Sequence, residues 1–311
     1  MIIITDNTGY AEKLFKIQNN WNSIITSDLE GDLPVLAGRI FTDSERSIFA
    51  SAEKKEWTHA FVADHAPFSH FDLLIRLIRE GRALPDGLLC LAKSGRKFHG
   101  LKGRPWQAPE GNLHLTLLRT PHKRVPNFHT GFQILAAVSL IESIDRLKGF
   151  ENRAQIKWVN DIWIHGRKAA GFLAHTMSIE EMVSAVIIGI GLNVEKNPDL
   201  PPDDNVYGAA CLTDFASDPS TCRIDRILAL LLQRLSANYE LLLSGNYGRL
   251  LNIYRKRSLV IGRWVRVFED IPEEKSEEIA SGRVESIGDF LELNIKGNPK
   301  PVTRGRLKII D

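Results

Sequence analysis

Residues 157–171 read KWVNDIWIHGRKAAG. Asn160 and Asp161 fall at a turn between two strand-like pieces, where a carboxylate can reach a hard cation and an amide can fix a neighbouring oxygen. Lys168 follows seven residues later on the partnering strand, and Ala169, Ala170 and Gly171 leave room for something flat to lie against a sheet. An Asn-Asp pair alone is a turn signal and a lone lysine is usually a solvated surface cation; their combination is what points to chemistry. Upstream, residues 100–113 read GLKGRPWQAPEGNL. Gly100 and Gly103 permit backbone conformations that expose successive amides, while Lys102 and Arg104 add charged donors. Such a loop can cradle a phosphate, although in isolation it would equally be a basic solvated turn. Trp106 adds an aromatic platform beside the cations. Downstream, IIGIGLNV at 187–194 places Gly189 and Gly191 in mid-strand, where a ligand could approach the backbone, and Asn193 offers both a donor and an acceptor for a base. This run lacks the third glycine and the crossover helix of a dinucleotide fold, and no Walker phosphate loop is present.

The elements that must position these residues follow from periodicity. FDLLIRLIRE at 71–80 has Leu73, Leu74, Leu77 and Ile78 at helical spacing and predicts an amphipathic helix ending at Gly81. LPDGLLCLAK predicts a turn and a strand, GNLHLTLLRT at 111–120 a second strand, and 131–147 a long helix apolar enough to be buried on most sides. Short strands with tight turns come next, then a Pro- and acid-rich loop at 194–210, expected to be a mobile lid. Two helices follow, and beyond residue 258 the chain turns to small strands. The expected fold class is α+β, a mixed sheet with helices, with a small C-terminal β-barrel. The expected division is an N-terminal extension of unassigned role at 1–64, a catalytic domain at 65–257 and the barrel at 258–311.

Composition limits the alternatives. The chain has 311 residues, 43% of them hydrophobic and 25% charged, enough for a full core, and a formal net charge of only +2, too small for a general polyanion binder. Residues 1–64 show no pair of short helices around a tight turn, so nucleic acid is not an expected partner. No apolar run approaches membrane-spanning length, and the start of the chain has no basic leader, so a cytoplasmic location away from membranes is expected. Cys90, Cys211 and Cys222 lack metal-ligand spacing and are expected to be reduced.

KWVNDIWIHGRKAAG resembles the signature of biotin protein ligases, in which Lys-Trp-Pro-Asn-Asp precedes Gly-x-Lys-x-x-Gly. GIGLNV is similar to their next motif and GLKGRPWQAPEGNL to their adenylate-binding loop, and the likeness runs from about residue 66 to residue 311 because the terminal SH3-like barrel is also a family feature. The resemblance implies a two-step reaction: the carboxylate of an acid attacks the α-phosphate of ATP, pyrophosphate leaves, and a lysine of an acceptor protein then takes the acyl group. It implies that Lys168 holds the acid carboxylate and the α-phosphate, and that Asp161 with Asn160 binds Mg²⁺ and phosphates. Gly100, Lys102, Gly103 and Arg104 would enclose the adenylate, with Trp106 beside it and Gly189, Gly191 and Asn193 on the adenine side. Gly171 and Ser69 would border the acid. Biotin is the implied substrate, a biotin carboxyl carrier protein the implied acceptor, and a homodimer an assembly the family permits.

The chain also departs from the family pattern. FHGLKGR at 98–104 stands where biotin ligases carry Gly-Arg-Gly-Arg-Arg-Gly-Arg, so Phe98 replaces a glycine and His99 and Leu101 replace arginines; Val159 replaces a proline, and Ser69 is what remains of Ser-Thr-Asn. Lipoate ligases and octanoyl transferases share the catalytic fold. A transferase would need a thiol, for which Cys211 is the candidate. A regulatory protein that binds the nucleotide without turnover is the alternative from another class.

Overall fold

The computed structural model describes residues 1–17, 21–41, 47–50, 56–199, 208–270 and 276–310. Its main sheet is built from β1 (Ile2–Thr5), β2 (Asn22–Ser23), β3 (Ser47–Ala50), β4 (His59–Ala66), β5 (Leu88–His99), β6 (Pro105–Ala108), β7 (Leu113–Arg119), β8 (Lys123–Arg124), β9 (Ala154–Lys157), β10 (Asp161–Ile164), β11 (Arg167–Ile179) and β12 (Met182–Leu192). The strands run in the order β2-β3-β1-β4-β5-β7-β12-β11-β10-β9, with β6 on β5 and β8 on β12. β4 pairs in parallel with β1 and β5, and the other neighbours are antiparallel, so the sheet is mixed as expected. It also crosses position 64 without a break, because β4 spans that position and β1 pairs with it.

Among the described residues six α-helices flank the sheet: α1 (Thr8–Phe15), α2 (Leu33–Ile40), α3 (His70–Arg79), α4 (Phe128–Ile144), α5 (Ile224–Leu243) and α6 (Tyr247–Lys256). Period-two alternation decides which face each strand residue serves. In β7, Leu113, Leu115 and Leu117 join the core beneath α4 and α5, whereas Leu118 joins the core beneath α2 and α3. His114 and Thr116 share the face of Leu118 and line a cavity beside the N-terminus of α3. Burying each such leucine contributes roughly 2 kcal/mol. α3 begins where Ser69 Oγ accepts from the Asp72 amide and ends where Gly81, at φ 79°, lets its amide return to the Ile78 carbonyl. α4 is buried on most sides as its composition predicts, but it stops at Ile144 rather than 147. Leu147 is fully buried outside the helix, which explains why the apolar pattern outlasts the helical turns. β5 extends past the core to His99, because Gly95 and Phe98 continue the pairing with β6.

The C-terminal strands β13 (Trp264–Phe268), β14 (Glu278–Ile287), β15 (Leu293–Ile295) and β16 (Arg306–Ile309) form an antiparallel sheet in the order β15-β14-β13-β16. A closed barrel was expected; among the described residues its outer strands β15 and β16 carry no pairing to each other. The sheet is fastened to the larger one by the Trp158 indole N–H, which donates to the Leu291 carbonyl at 2.6 Å, and by Arg255, which donates to Asp289 at 2.8 Å. Among the described residues no helix is long and apolar enough to cross a membrane.

Candidate active site

Strand register assembles the site. His114 of β7 pairs with Gly191 of β12, Gly191 with Gly171 of β11, Gly171 with Asp161 of β10, and Asp161 with Lys157 of β9. In-register partners point to the same face, so one row across five strands carries an imidazole, two glycines, a carboxylate and an amine. The next row contributes Thr116, Gly189 and Leu173. These residues line a cavity of about 310 Å³, walled also by Ser69, His70, Phe98, Arg104, Trp106 and Lys168. That volume is at the lower end of ordinary small-ligand sites.

One end of the cavity is charged. Lys168 Nζ lies 2.8 Å from Asp161 Oδ1, with the two side chains 34% and 23% exposed. The amine and carboxylate thus converge on one space. An ion pair this open to water is worth only about 0–1 kcal/mol, so an incoming carboxylate or phosphate can exchange with Asp161. Lys157 sits beside them with Nζ 4.5 Å from the centre of the Trp163 ring. Burial pushes its ammonium down to about 8, against the pull of Asp161 and with help from Lys168 and Arg104. Asp161 is the only carboxylate among the described lining residues, against Lys157, Lys168 and Arg104. The positive excess suits a carboxylate and a polyphosphate held together.

The other end is buried and aromatic. The Phe98 ring stands edge-on to His114 at 5.9 Å and tilted to His70 at 6.2 Å. It rests on Gly95, where a Cβ would lie 2.7 Å from it. Burial pushes both imidazoles down to about 4, so both are neutral at pH 7.

The residues singled out from the sequence meet different fates. Lys168, Asp161, Asn160, Gly171, Ser69, Gly100, Arg104, Trp106, Gly189, Gly191 and Asn193 all border the cavity. Lys102 and Gly103 do not; both are exposed, with left-handed φ of 59° and 72°. Two amides of the loop are engaged within it, Gly100 N with Arg104 O at 2.7 Å and Gly103 N with Gly100 O at 3.3 Å. The mid-strand glycines accept side chains rather than open space. A Cβ on Gly191 would lie 2.5 Å from the Trp106 indole, one on Gly171 3.3 Å from it, and one on Gly189 3.1 Å from Phe71. Asn193 is buried, donating to Ala210 O at 3.3 Å and accepting from Asn112 at 3.5 Å, so its amide closes the loop instead of facing outward. Asn160 donates to Phe172 O at 3.0 Å and so fixes the turn that presents Asp161.

Several bordering residues escaped the sequence reading. Lys157, His70, His114 and Thr116 all line the cavity. For Lys157 a signal existed: with a turn at 158–160, residues 157 and 161 must share a face. His99, where the family pattern has arginine, donates to Gly100 O at 3.0 Å and approaches Asp72 at 2.8 Å. The carbonyl and then the carboxylate raise its pKa, which favours a cation at the loop. Cys211 is buried and does not line the cavity. Burial raises its pKa, and its thiol donates to Asp214 at 3.2 Å, so it is no activated nucleophile.

The lid expected at 194–210 has its middle, 200–207, outside the described residues. Its start is fastened by Asn112, whose Oδ1 accepts from the amides of Val194, Glu195 and Lys196 at 2.9, 3.3 and 3.1 Å. Its end pairs with β11, Lys168 N with Gly208 O and Ala210 N with Lys168 O.

Among the described residues no three His, Cys, Asp or Glu side chains cluster as a metal site. One cavity carboxylate, Asp161, fits Mg²⁺ of the kind bound jointly by a carboxylate and substrate phosphates rather than by a protein cage.

The sequence profile of the biotin/lipoate A/B protein ligase family matches residues 80–193. The bifunctional ligase/repressor BirA of Bacillus subtilis is 34% identical over 146 residues, 46% of this chain and 42% of that protein. The chain therefore spans less than half the length of the first curated relatives it matches. The biotin--[acetyl-CoA-carboxylase] ligase of Mycobacterium tuberculosis is 30% identical over 215 residues, 68% of this chain and 75% of that protein. The structure of a biotin protein ligase from Aquifex aeolicus with biotin and ATP superposes with a TM-score of 0.62 at 19% identity, covering 82% of this chain and 99% of that one. It is a likeness of fold.

Proposed function

Because this chain belongs to the biotin/lipoate A/B protein ligase family, we propose that it activates biotin with ATP and transfers it to a lysine of a biotin carboxyl carrier protein. The observation that carries the reading is the convergence of Lys168 and Asp161, 2.8 Å apart, on a cavity with excess positive charge. The acid carboxylate displaces Asp161 from Lys168 and attacks the α-phosphorus; the bond to the bridging oxygen breaks and pyrophosphate leaves. Lys168, with Arg104 and Lys157 near it, offsets the negative charge that accumulates on the α-phosphate oxygens. Mg²⁺, held by Asp161 and the phosphates, would neutralise charge on the departing pyrophosphate. Asp161, released from Lys168, then orients the acceptor lysine, whose neutral amine attacks the carbonyl, gives up one N–H proton to water and expels AMP. Trp106, resting on Gly171 and Gly191, shields the mixed anhydride from water.

We read the enzyme as cytoplasmic, and three buried free thiols support a reducing compartment. The test is pyrophosphate release from ATP with biotin, lipoate and octanoate, followed by labelling of a carrier domain. Release that requires biotin is the expected result. Release with lipoate or octanoate alone would move the chain to the lipoate branch, and binding without release would make it a regulatory protein.

A further inference from the structure

The buried aromatic wall of the cavity contains two nitrogens with no hydrogen-bond partner, His114 Nδ1 and His70 Nε2. Both rings border the cavity. An orphaned buried polar atom at a ligand site is an uncompensated desolvation that a ligand can relieve. The tautomer of His114 follows from its contacts: Nε2 lies 3.0 Å from the Pro109 carbonyl, which can only accept, so Nε2 carries the proton. Since the buried ring is neutral, Nδ1 is a bare lone pair, an acceptor awaiting an N–H.

Position makes this a question of specificity. His114 and Asp161 stand three strands apart in one row, about 14 Å from backbone to backbone. An acid with its carboxylate at Lys168 extends its far end past the Trp106 ring, which covers Gly171 and Gly191, toward the imidazoles. A dithiolane or a methyl terminus brings no N–H to His114 Nδ1. A cyclic urea brings two N–H donors and a carbonyl.

We infer that His114 Nδ1, with His70 Nε2 beside it, is the group that reads an N–H on the polar head of the acid, so that this wall selects a ureido head over an aliphatic or dithiolane tail. The inference rests on the ligase reading and deepens it. Both nitrogens are shielded from solvent, so the head meets them with Phe98 swung off its seat on Gly95.

The test is calorimetric titration of the full chain with biotin, biotin methylated at its ureido nitrogens, and octanoate. The wild-type protein is expected to lose about tenfold in affinity on methylation. His114→Phe is expected to lose about tenfold for biotin while octanoate binding stays within twofold, and His114→Gln, which keeps an acceptor, to recover most of the loss. Equal affinity of the wild type for biotin and its methylated form overturns the inference without involving any variant. So does a His114→Phe protein that loses biotin and octanoate alike, the mark of a structural role. A wild type that binds none of the three acids overturns this inference together with the ligase reading, whereas pyrophosphate release with biotin alongside either failure above would leave the ligase reading standing.

Discussion

At one end of the cavity Lys168, Asp161 and Arg104 are open enough to water to exchange partners; at the other, His70 and His114 are buried, neutral and short of partners. The two ends lie on one sheet face and differ in what covers them. α3 and the Phe98 ring close the imidazole end, whereas the charged end lies at the β9 side of the sheet beside Trp163. Water sustains the electrostatics of the one, and its exclusion sharpens the hydrogen-bond demand of the other. One sheet can therefore hold an anion loosely enough for chemistry and still discriminate a head group strictly.

The sharpest way to break this contrast is acid. Both histidines have folded-state pKa values of about 4, below the unfolded value of 6.5. Their neutral burial carries no penalty above pH 6.5, and stability is lost as pH falls from 6.5 toward 4, where the unfolded chain binds the extra protons. Each ring is expected to remove roughly 3 kcal/mol by pH 4, measurable as a falling urea midpoint that a His70→Phe, His114→Phe double variant flattens. A midpoint unchanged over that range would mean the rings are not neutral and buried. At the charged end, Lys168→Ala is expected to lower kcat for pyrophosphate release on the order of 10³-fold, about 4 kcal/mol, without shifting the urea midpoint; equal turnover would remove Lys168 from the mechanism.

Between the two ends, Gly191→Ala places a Cβ 2.5 Å from the indole and should displace Trp106. The expected result is a loss of about 2 kcal/mol in stability and a change in tryptophan emission; an unchanged spectrum would mean that Trp106 does not rest there in solution. The smallest effect concerns Lys157. Its amine loses its charge as pH rises through about 8, so kcat/KM for ATP should fall above that pH by about fivefold, near 1 kcal/mol. Lys157→Arg should remain flat to pH 10, and a decline shared by both proteins would place the titrating group elsewhere.

Much of this was legible beforehand. The helix at α3, the buried α4 and the strands carrying Asp161, Lys168 and Gly191 follow from local periodicity, and their spacing alone directed attention to the cavity. What escaped was set by long-range pairing. Phe71 and Trp106 are distant in sequence from the glycines they cover, so nothing local reveals that Gly189 and Gly191, which border the cavity, also seat rings. Nor does anything local reveal that Asn193 donates to Ala210 and accepts from Asn112.

From the order of its residues alone, this protein determined which segments alternate, which turn, and that an amine and a carboxylate flank one hairpin, because those properties depend on neighbours a few positions away. Only the folded sheet decided that His114, Gly191, Gly171, Asp161 and Lys157 form one row and that Phe98 and the start of helix α3 cover its His114 end. Register across five strands is a collective choice of the buried faces, and no single strand encodes it.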